Sequence, residues 1–416
     1  MVFRAIRWSA AFVALAMLSG VGSASAQQTV KIGAIYPLSG NAASAGNFAK
    51  AALELGAEIV NNAHPELKDI PLAAGTGLPG LNGAKIEVVF ADNQGTPAAG
   101  QNQTLRLITE EKVHALIGAY QSGITVTASA MAERHGIPFV NPESVASNLT
   151  ERGFKWFFRT TPVAADFARA YSTFLKEQKA AGHKSDKIAI VHENTEYGNS
   201  VASVIRSVFG KDGFNVSMVI PYSANTTDVQ PQVLQLKEQN PDVVIFISYT
   251  SDAILYAKTM KDLGWKPSIM IADDSGFNDP SFVKTSGALV EGLINRSSFA
   301  VGKPGSMSAL VSDLYKKKAG VEMDDVSGRV IQGFFTLAEA INRAGSTDPA
   351  KIRDALKATD LKANQVVTGY KGVKFDEKGQ NILASSLITQ MRDGAYVPVW
   401  PKELAVTDVK LPYKGW

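Results

Sequence analysis

Six short segments of the chain place hydroxyl, aromatic and acidic side chains directly after apolar runs. Such groups can hydrogen-bond to a small polar solute, and the acids can meet a cation. If the apolar runs are strands of open parallel sheets, these segments lie where such sheets bind ligands, at the carboxyl ends. The pattern predicts a binding cleft. The segments are Tyr36-Pro37-Leu38-Ser39-Gly40, Ser122-Gly123, Asn141-Pro142-Glu143-Ser144, Glu193-Asn194-Thr195-Glu196-Tyr197-Gly198, Ser248-Tyr249-Thr250-Ser251-Asp252 and Asp273-Asp274-Ser275-Gly276.

Catalytic chemistry finds little support in the residue types. The five histidines are scattered, and none forms the i, i+4 pair of a helical zinc site. The chain has no cysteine and no G-x-S-x-G nucleophile turn. His192-Glu193 could supply a base, but a hydrogen-bonded histidine at a strand end is the simpler interpretation. We therefore predict a binding protein that is not an enzyme and needs no cofactor or metal.

One glycine-rich stretch resembles a nucleotide-binding motif. Residues 75–80, GTGLPG, match G-x-G-x-x-G letter for letter. That motif works only where it follows a strand and opens a helix, and here it contains Pro79 and runs into another strand-like segment. We interpret the stretch as a surface loop.

Short β-branched runs alternate with helical patterns along the chain, which is typical of α/β lobes with parallel sheets. Helices are predicted near 48–62, 100–112, 164–177 and 230–239, the last after the capping cluster Thr226-Thr227-Asp228. With 416 residues and 45% hydrophobic content, two lobes are expected. The expected strands are 30–35, 86–90, 115–118 and 138–140, then 188–191, 216–220, 243–247 and 268–271. A crossover between lobes is predicted near 157–162.

The first 26 residues have the composition of a secretory signal. Arg4 and Arg7 precede an apolar stretch from 10 to 21, and Ala24-Ser25-Ala26 fits signal peptidase. The apolar stretch is shorter than the roughly 20 residues that span a bilayer. Since bacterial lipoproteins need a cysteine at the cleavage site and this chain has none, we expect no lipid anchor. A disulfide-free exported protein fits a Gram-negative periplasm. With a net charge of +3 and no basic run, nucleic acid and anionic membranes are poor partners.

Several motifs together resemble the Leu/Ile/Val-binding proteins of bacterial ABC importers, which are type I periplasmic solute-binding proteins. The motifs are VKIGAIYPLSG, IGAYQSGITVTAS, GIPFVNPESVASNLT, FFRTTP, ENTEYGNS and GVKFDEKG. They occur in family order along nearly the whole mature chain. The resemblance implies two doubly wound parallel-sheet α/β lobes joined by a three-strand hinge. It implies an N-lobe of residues 27–160 and 297–367 and a C-lobe of residues 161–296 and 368–416.

The resemblance also implies where a ligand carboxylate binds. In relatives, a serine and main-chain N–H groups at a helix start bind it, and here they match Ser122 and Gly123. Helix N-termini attract anions, which favours this role. The alternative is that Ser122 and Thr125 only cap a helix. A second hydroxyl position of the family is Val145 here, so its N–H or the Ser144 hydroxyl would replace it. Glu143 adds an acid where relatives have a small residue.

The resemblance assigns further contacts to the C-lobe. Asp274 matches the acid that pairs with the ligand's ammonium, and Tyr197 and Tyr249 match cleft aromatics. The alternative is that Asp274 caps a helix or serves a loop. Ala45 matches a bulky aromatic of the leucine binders, which predicts a roomier pocket.

The resemblance implies a periplasmic solute receptor. We expect a monomer that binds an amino acid or a similar solute and delivers it to an inner-membrane permease and its ATPase. One alternative ligand is an amide, a urea-like solute or an aromatic carboxylate. Alternatives from other classes are a sensor that reports ligand binding to a signalling partner and, in third place, a periplasmic enzyme.

Overall fold

The structure is a computed structural model that describes Met1 and residues 29–416. Apart from Met1, the predicted signal peptide lies outside the described residues. None of the described helices combines the length and apolar character needed to cross a membrane. The GTGLPG stretch forms turns and a short 3-10 helix, Pro79–Leu81, so its interpretation as a loop is confirmed.

Each of the eight apolar runs that the sequence predicted as strands is a strand in the structure. The first five are β1 (Thr29–Tyr36), β2 (Lys85–Asp92), β3 (Ala115–Gly118), β4 (Phe139–Asn141) and β5 (Phe157–Arg159). The next five are β6 (Ile188–Glu193), β7 (Val216–Tyr222), β8 (Val243–Ile247), β9 (Ile269–Ala272) and β10 (Ile294–Ser297). The last four are β11 (Asp360–Lys362), β12 (Gly372–Lys374), β13 (Leu387–Arg392) and β14 (Ala395–Trp400).

Helices separate most of these strands, and the four predicted from periodicity are present. The N-cap of the sixth helix is Val229, which makes no side-chain capping bond, so the prediction of an N-cap within 226–228 was wrong. Asp228, one residue before Val229, accepts the Gln230 N–H at 2.8 Å. Their bounds are α1 (Ala43–Asn61), α2 (Pro97–Thr109), α3 (Ser122–His135), α4 (Ala164–Ala180), α5 (Glu196–Lys211), α6 (Gln230–Gln239), α7 (Thr250–Asp262), α8 (Pro280–Ser286), α9 (Met307–Ala319), α10 (Asp325–Ala344) and α11 (Pro349–Lys357).

The strands form two large sheets, which define two lobes. The first has the order β2-β1-β3-β4-β5 and is entirely parallel. The second has the order β14-β13-β10-β9-β8-β6-β7, and its segment β7-β6-β8-β9-β10 repeats the first order. We call the lobe with the five-stranded sheet the N-lobe and the other the C-lobe. The fold is therefore the two-lobed α/β flytrap that the sequence predicted.

The C-lobe sheet differs from the prediction at one edge. Strands β13 and β14 run antiparallel to their neighbours, so this sheet is mixed. The sequence analysis assigned no strand there, because it searched for the β-α alternation of parallel sheets. A hairpin at a sheet edge needs no crossover helix and leaves no such alternation.

The chain passes between the lobes three times. The first passage follows β5, the second follows β10, and the third precedes β13. Arg159 at the end of β5 donates its backbone N–H to the Gly379 carbonyl at 2.7 Å, which links the first passage to the third. Gly369 donates its N–H to the Ser298 carbonyl at 2.8 Å, which links the third to the second. The three passages thus form one hydrogen-bonded hinge.

Helix α10 completes the N-lobe although it follows the C-lobe strand β10 in sequence. It packs against α1 so closely that a Cβ on Gly56 would lie 2.6 Å from the Phe334 ring. Nearly all of its residues are buried. The helix therefore carries Arg329 on an apolar element to the border between the lobes.

Candidate functional site

A cavity lies where the carboxyl ends of the two sheets face each other. In a sheet with the order β2-β1-β3-β4-β5, the crevice opens beside β1, because there the connections to neighbouring strands leave in opposite directions. Residues after β3 and β4 form the N-lobe wall, and residues after β6, β8 and β9 form the C-lobe wall. The lining residues are Tyr120, Ser122, Glu143, Ser144, Val145, Tyr197, Tyr249, Asp274, Ser275, Arg296 and Arg329.

Seven of the eight predicted site residues line this cavity. Gly123 does not, although it follows Ser122 in the first turn of α3. Ala45 does not line it either, so the argument for a roomier pocket does not apply to this site. The closed cavity has a volume of about 20 Å³, room for about one water molecule, so the lobes must move apart to admit a solute.

Helix α3 begins at Ser122, so its first N–H groups lie at the N-lobe wall of the cavity. Its N-cap is Gln121, whose side chain makes no capping bond. Ser122 is 1% exposed, and its hydroxyl has no hydrogen-bond partner among the described residues. The Thr125 hydroxyl instead lies 2.9 Å from the Ala119 carbonyl oxygen. Ser122 is therefore free to bind a ligand, whereas Thr125 is not.

The neighbouring hydroxyl of Ser144 is already engaged within the N-lobe. It lies 2.6 Å from the Ala119 carbonyl oxygen and 2.6 Å from the Thr125 hydroxyl oxygen. Ser144 therefore cannot replace the hydroxyl that Val145 lacks without breaking these bonds. The Val145 N–H has no hydrogen-bond acceptor among the described residues, so it can still donate to a ligand.

Three tyrosines form an aromatic wall across the cavity. The Tyr249 ring centroid lies 5.8 Å from that of Tyr120 and 5.4 Å from that of Tyr197. The Tyr120 hydroxyl lies 3.0 Å from the Ser275 hydroxyl, which joins the two lobes. Tyr197 donates to the Asp273 carboxylate at 2.8 Å. These rings are held in fixed positions by their hydroxyls and by one another.

Two buried arginines, which the sequence analysis missed, border the cavity. Arg296 donates to Asp273 at 3.1 Å and to Asp274 at 3.1 Å, and its guanidinium lies 3.6 Å from the Phe167 ring centroid. Arg329 donates to Asp325 at 2.8 Å and also pairs with Asp274. Little in the sequence marks them, since Arg296 lies between Asn295 and Ser297 and Arg329 follows Ser327-Gly328.

Asp274 is thus the shared anion of two guanidinium groups. Its Oδ2 accepts bonds from both arginines, and its Oδ1 accepts one from Asn278 at 2.6 Å. Burial alone would raise the pKa of Asp274, but Arg329 and Arg296 hold it below its ordinary value. Its backbone has φ of 51°, a left-handed conformation that is costly for a residue with a side chain. The Asp274 carboxylate is therefore ionised, and both of its oxygens already accept hydrogen bonds.

Glu143 has the opposite environment. It is 4% exposed, its Oε2 accepts the Tyr36 hydroxyl at 3.2 Å, and its Oε1 has no partner among the described residues. Burial raises the pKa of Glu143 to about 8, although Arg329 acts in the opposite direction. A buried oxygen without a partner in a cavity wall is unusual and is suited to a ligand.

The lobes also meet beside the cavity. The Ser44 hydroxyl of α1 donates to Asp279 at 2.8 Å and lies 2.6 Å from the Ser281 hydroxyl, at the start of α8. The Ser251 hydroxyl donates to the Asn41 carbonyl at 3.2 Å. With Tyr120 and Ser275, these contacts hold the lobes closed over the cavity.

The cavity can bind a polar solute that places an anionic group at the start of α3 and a cationic or hydrogen-bond-donating group at Glu143. Among the described residues, no group of three or more His, Cys, Asp or Glu side chains is placed to hold a metal ion.

Comparisons with known proteins agree with this geometry. Residues 29–395 match the family described as periplasmic binding proteins. The Leu/Ile/Val-binding protein homolog 7 of Brucella abortus (strain 2308) is 32% identical over 406 residues, covering 94% of this chain and 96% of that protein.

Two solved structures share the fold. The branched-chain amino acid binding protein LivJ of Streptococcus pneumoniae, in complex with isoleucine, has a TM-score of 0.76 at 23% identity, covering 90% of this chain and 100% of that one. A solute-binding protein of Rhodopseudomonas palustris BisB5, in complex with 3,4-dihydroxybenzoic acid, has a TM-score of 0.73 at 20% identity, covering 88% and 95%. The chain therefore belongs to the periplasmic binding protein family, within its Leu/Ile/Val-binding branch of type I solute-binding proteins.

Proposed function

We propose that the protein is the solute-binding component of an ABC importer and that its ligand is an amino acid or a similar small solute. The observation that carries the proposal is the enclosed cavity between the lobes, with an unpartnered Ser122 hydroxyl at a helix start and an unpartnered Glu143 oxygen. The carboxylate and ammonium of an amino acid are the complementary groups. The names of the Brucella relative and of LivJ agree with this class.

Five of the predicted site residues contact the carboxylate or the side chain of the ligand in this proposal. Ser122 and the N–H groups at Ser122 and Gly123 bind the carboxylate, with help from the Val145 N–H. Tyr197 and Tyr249 pack against the side chain of the ligand. The lobes divide near residues 160, 297 and 367. The protein acts as a periplasmic monomer after removal of residues 1–26, and it delivers the solute to a permease and its ATPase.

A second candidate is a receptor for an aromatic carboxylate. The three tyrosine rings and the two arginines in the cavity wall favour it, and the Rhodopseudomonas palustris structure contains such a ligand. A planar acid could stack on the rings and use the guanidinium N–H groups left over by Asp273, Asp274 and Asp325.

A thermal-shift screen separates these candidates. A ligand that binds only the folded protein raises the melting midpoint by mass action. We expect at least one L-amino acid to raise it in a panel of the twenty L-amino acids, their des-amino carboxylates and hydroxybenzoates. A response to hydroxybenzoates alone would favour the second candidate, and no response at all would contradict both.

A further inference from the structure

The acids in the cavity wall differ in whether they already have counter-ions. Asp274 pairs with two guanidinium groups and accepts a third bond from Asn278. Glu143 accepts one hydrogen bond, from the neutral Tyr36 hydroxyl, and leaves Oε1 without a partner. Both oxygens of Asp274 already accept hydrogen bonds, so the Oε1 of Glu143, which has no partner among the described residues, is the better acceptor for a ligand cation.

From these contacts we propose that Glu143, and not Asp274, binds the cationic group of the ligand, and that this pairing makes the site selective for an amine over the matching unaminated acid. The inference rests on the proposed function and specifies the recognition chemistry of the same cavity. Glu143 follows β4 and Ser122 follows β3, so both ends of an amino acid would bind to the N-lobe. The C-lobe then supplies aromatic walls and closure.

Binding of an ammonium group at Glu143 is coupled to the release of a proton. Glu143 has a pKa of about 8, so about nine-tenths of it is protonated at pH 7 in the closed, unliganded protein. An ammonium favours the ionised form, so binding expels this proton. Affinity for an amine therefore falls as pH is lowered from 8 to 6, by up to about tenfold per pH unit. The other charged or titratable groups that act on Glu143 are Tyr36, Arg329, Asp324 and Asp274.

Titration calorimetry tests this with the twenty L-amino acids and their des-amino carboxylates, at pH 7 in phosphate and in Tris. The two buffers differ in ionisation enthalpy, so together they report the protons released. We expect release of a large part of one proton with an amino acid and none with its des-amino partner. In Glu143→Gln we expect at least about a tenfold loss of amino-acid affinity, no proton release and unchanged affinity for the des-amino acid.

A matched control is Asp252→Asn, which removes a buried acid of the C-lobe that does not line the cavity. It should leave both affinities unchanged. Glutamine has the shape and neutrality of protonated Glu143, so Glu143→Gln should melt within a degree or two of the wild type. If this variant does not fold, proton release by the wild type still decides.

Several outcomes would overturn the inference. One is an amino acid that binds wild type and Glu143→Gln equally. Another is binding to the wild type without proton release. A third is release that persists in the variant, which would assign it to Asp324, whose pKa burial raises to about 7. If only unaminated acids bind, Glu143 recognises no cation, whereas if nothing in the panel binds, the proposed function itself fails.

Discussion

A hydroxyl without a partner distinguishes Ser122 from the other hydroxyl residues of α3. Thr125, Thr127 and Ser129 all hydrogen-bond to backbone carbonyls. Ser122 does not, although it is buried like Thr125 and Ser129 and is less exposed than Thr127. A buried hydroxyl that contributes nothing to the folded state by itself is available to a ligand.

Ser122→Ala should therefore weaken ligand binding and leave the unliganded protein equally stable. A hydrogen bond to a carboxylate is worth about 1.5–3 kcal/mol, so the binding free energy should become less favourable by that amount. Calorimetry and thermal melting measure the two effects. Thr125→Val is the matched control, since it loses a buried internal bond and should lower the melting temperature. A stable Ser122→Ala with full affinity would show that the hydroxyl only marks a helix start.

Asp274→Asn should act mainly on stability. The change keeps the shape and removes one of the two carboxylates that pair with each arginine, while Asp273 and Asp325 remain. Losing a hydrogen bond to a charged group costs roughly 1.5–3 kcal/mol. Because its pKa is lowered in the folded protein, ionised Asp274 stabilises the fold above its ordinary value of 3.8, and this contribution is lost as pH falls through the lower folded value. The difference in unfolding free energy between wild type and variant, measured by denaturant at pH 7 and below pH 3, should shrink in acid. Equal stability at pH 7 would contradict the pairing.

At the scale of elements, α1 and α8 form a contact that closes the lobes. The Ser44 hydroxyl lies between Asp279 and Ser281, both at the start of α8. This hydrogen bond exists only when the lobes meet, so it stabilises the closed form without contributing to either lobe alone. Its net value is about 0.5–1.5 kcal/mol.

Ser44→Ala should shift the unliganded protein toward an open form. Small-angle scattering should give a larger radius of gyration for the unliganded variant than for the wild type, and equal radii when both are saturated. Thr109→Val, which removes an exposed hydroxyl bonded within α2, is the control and should change neither. Identical curves for all three unliganded proteins would show that this contact does not govern closure.

Sequence periodicity predicted the elements with regular, long apolar patterns and missed those without them. Strand β8 was predicted with its observed bounds, because five consecutive apolar residues fill a strand buried on both faces. Strands β5 and β10 were missed, because each is short and contains a buried arginine, Arg159 or Arg296. The arginines gain their meaning only in three dimensions, since Arg329 pairs with Asp274 across 55 residues of sequence.

The same limit explains what could be predicted of the site. Ser122, Tyr197, Tyr249 and Asp274 were found because each follows a recognisable strand. The local pattern could not reveal that both oxygens of Asp274 already accept hydrogen bonds or that the Glu143 Oε1 has no partner among the described residues. Those properties depend on α10, which returns from 186 residues away to place Arg329 against the Glu143 carbonyl.

At the scale of the whole molecule, two lobes with the same strand order face each other across a small cavity. Each supplies the crevice of its own sheet, and closure combines them into one enclosed site. A solute bound there would contact both lobes at once, because residues of both line the cavity.

The three passages of the chain also determine when the molecule can fold. The five strands of the N-lobe sheet end at residue 159, but the helix that covers α1 spans Asp325–Ala344. The C-lobe sheet lacks an edge until Leu387–Trp400 has been added. A growing chain on the ribosome therefore cannot complete either lobe until it is almost finished, and contacts so distant in sequence form slowly. Neither lobe can thus act as an independent folding unit that is completed early in synthesis.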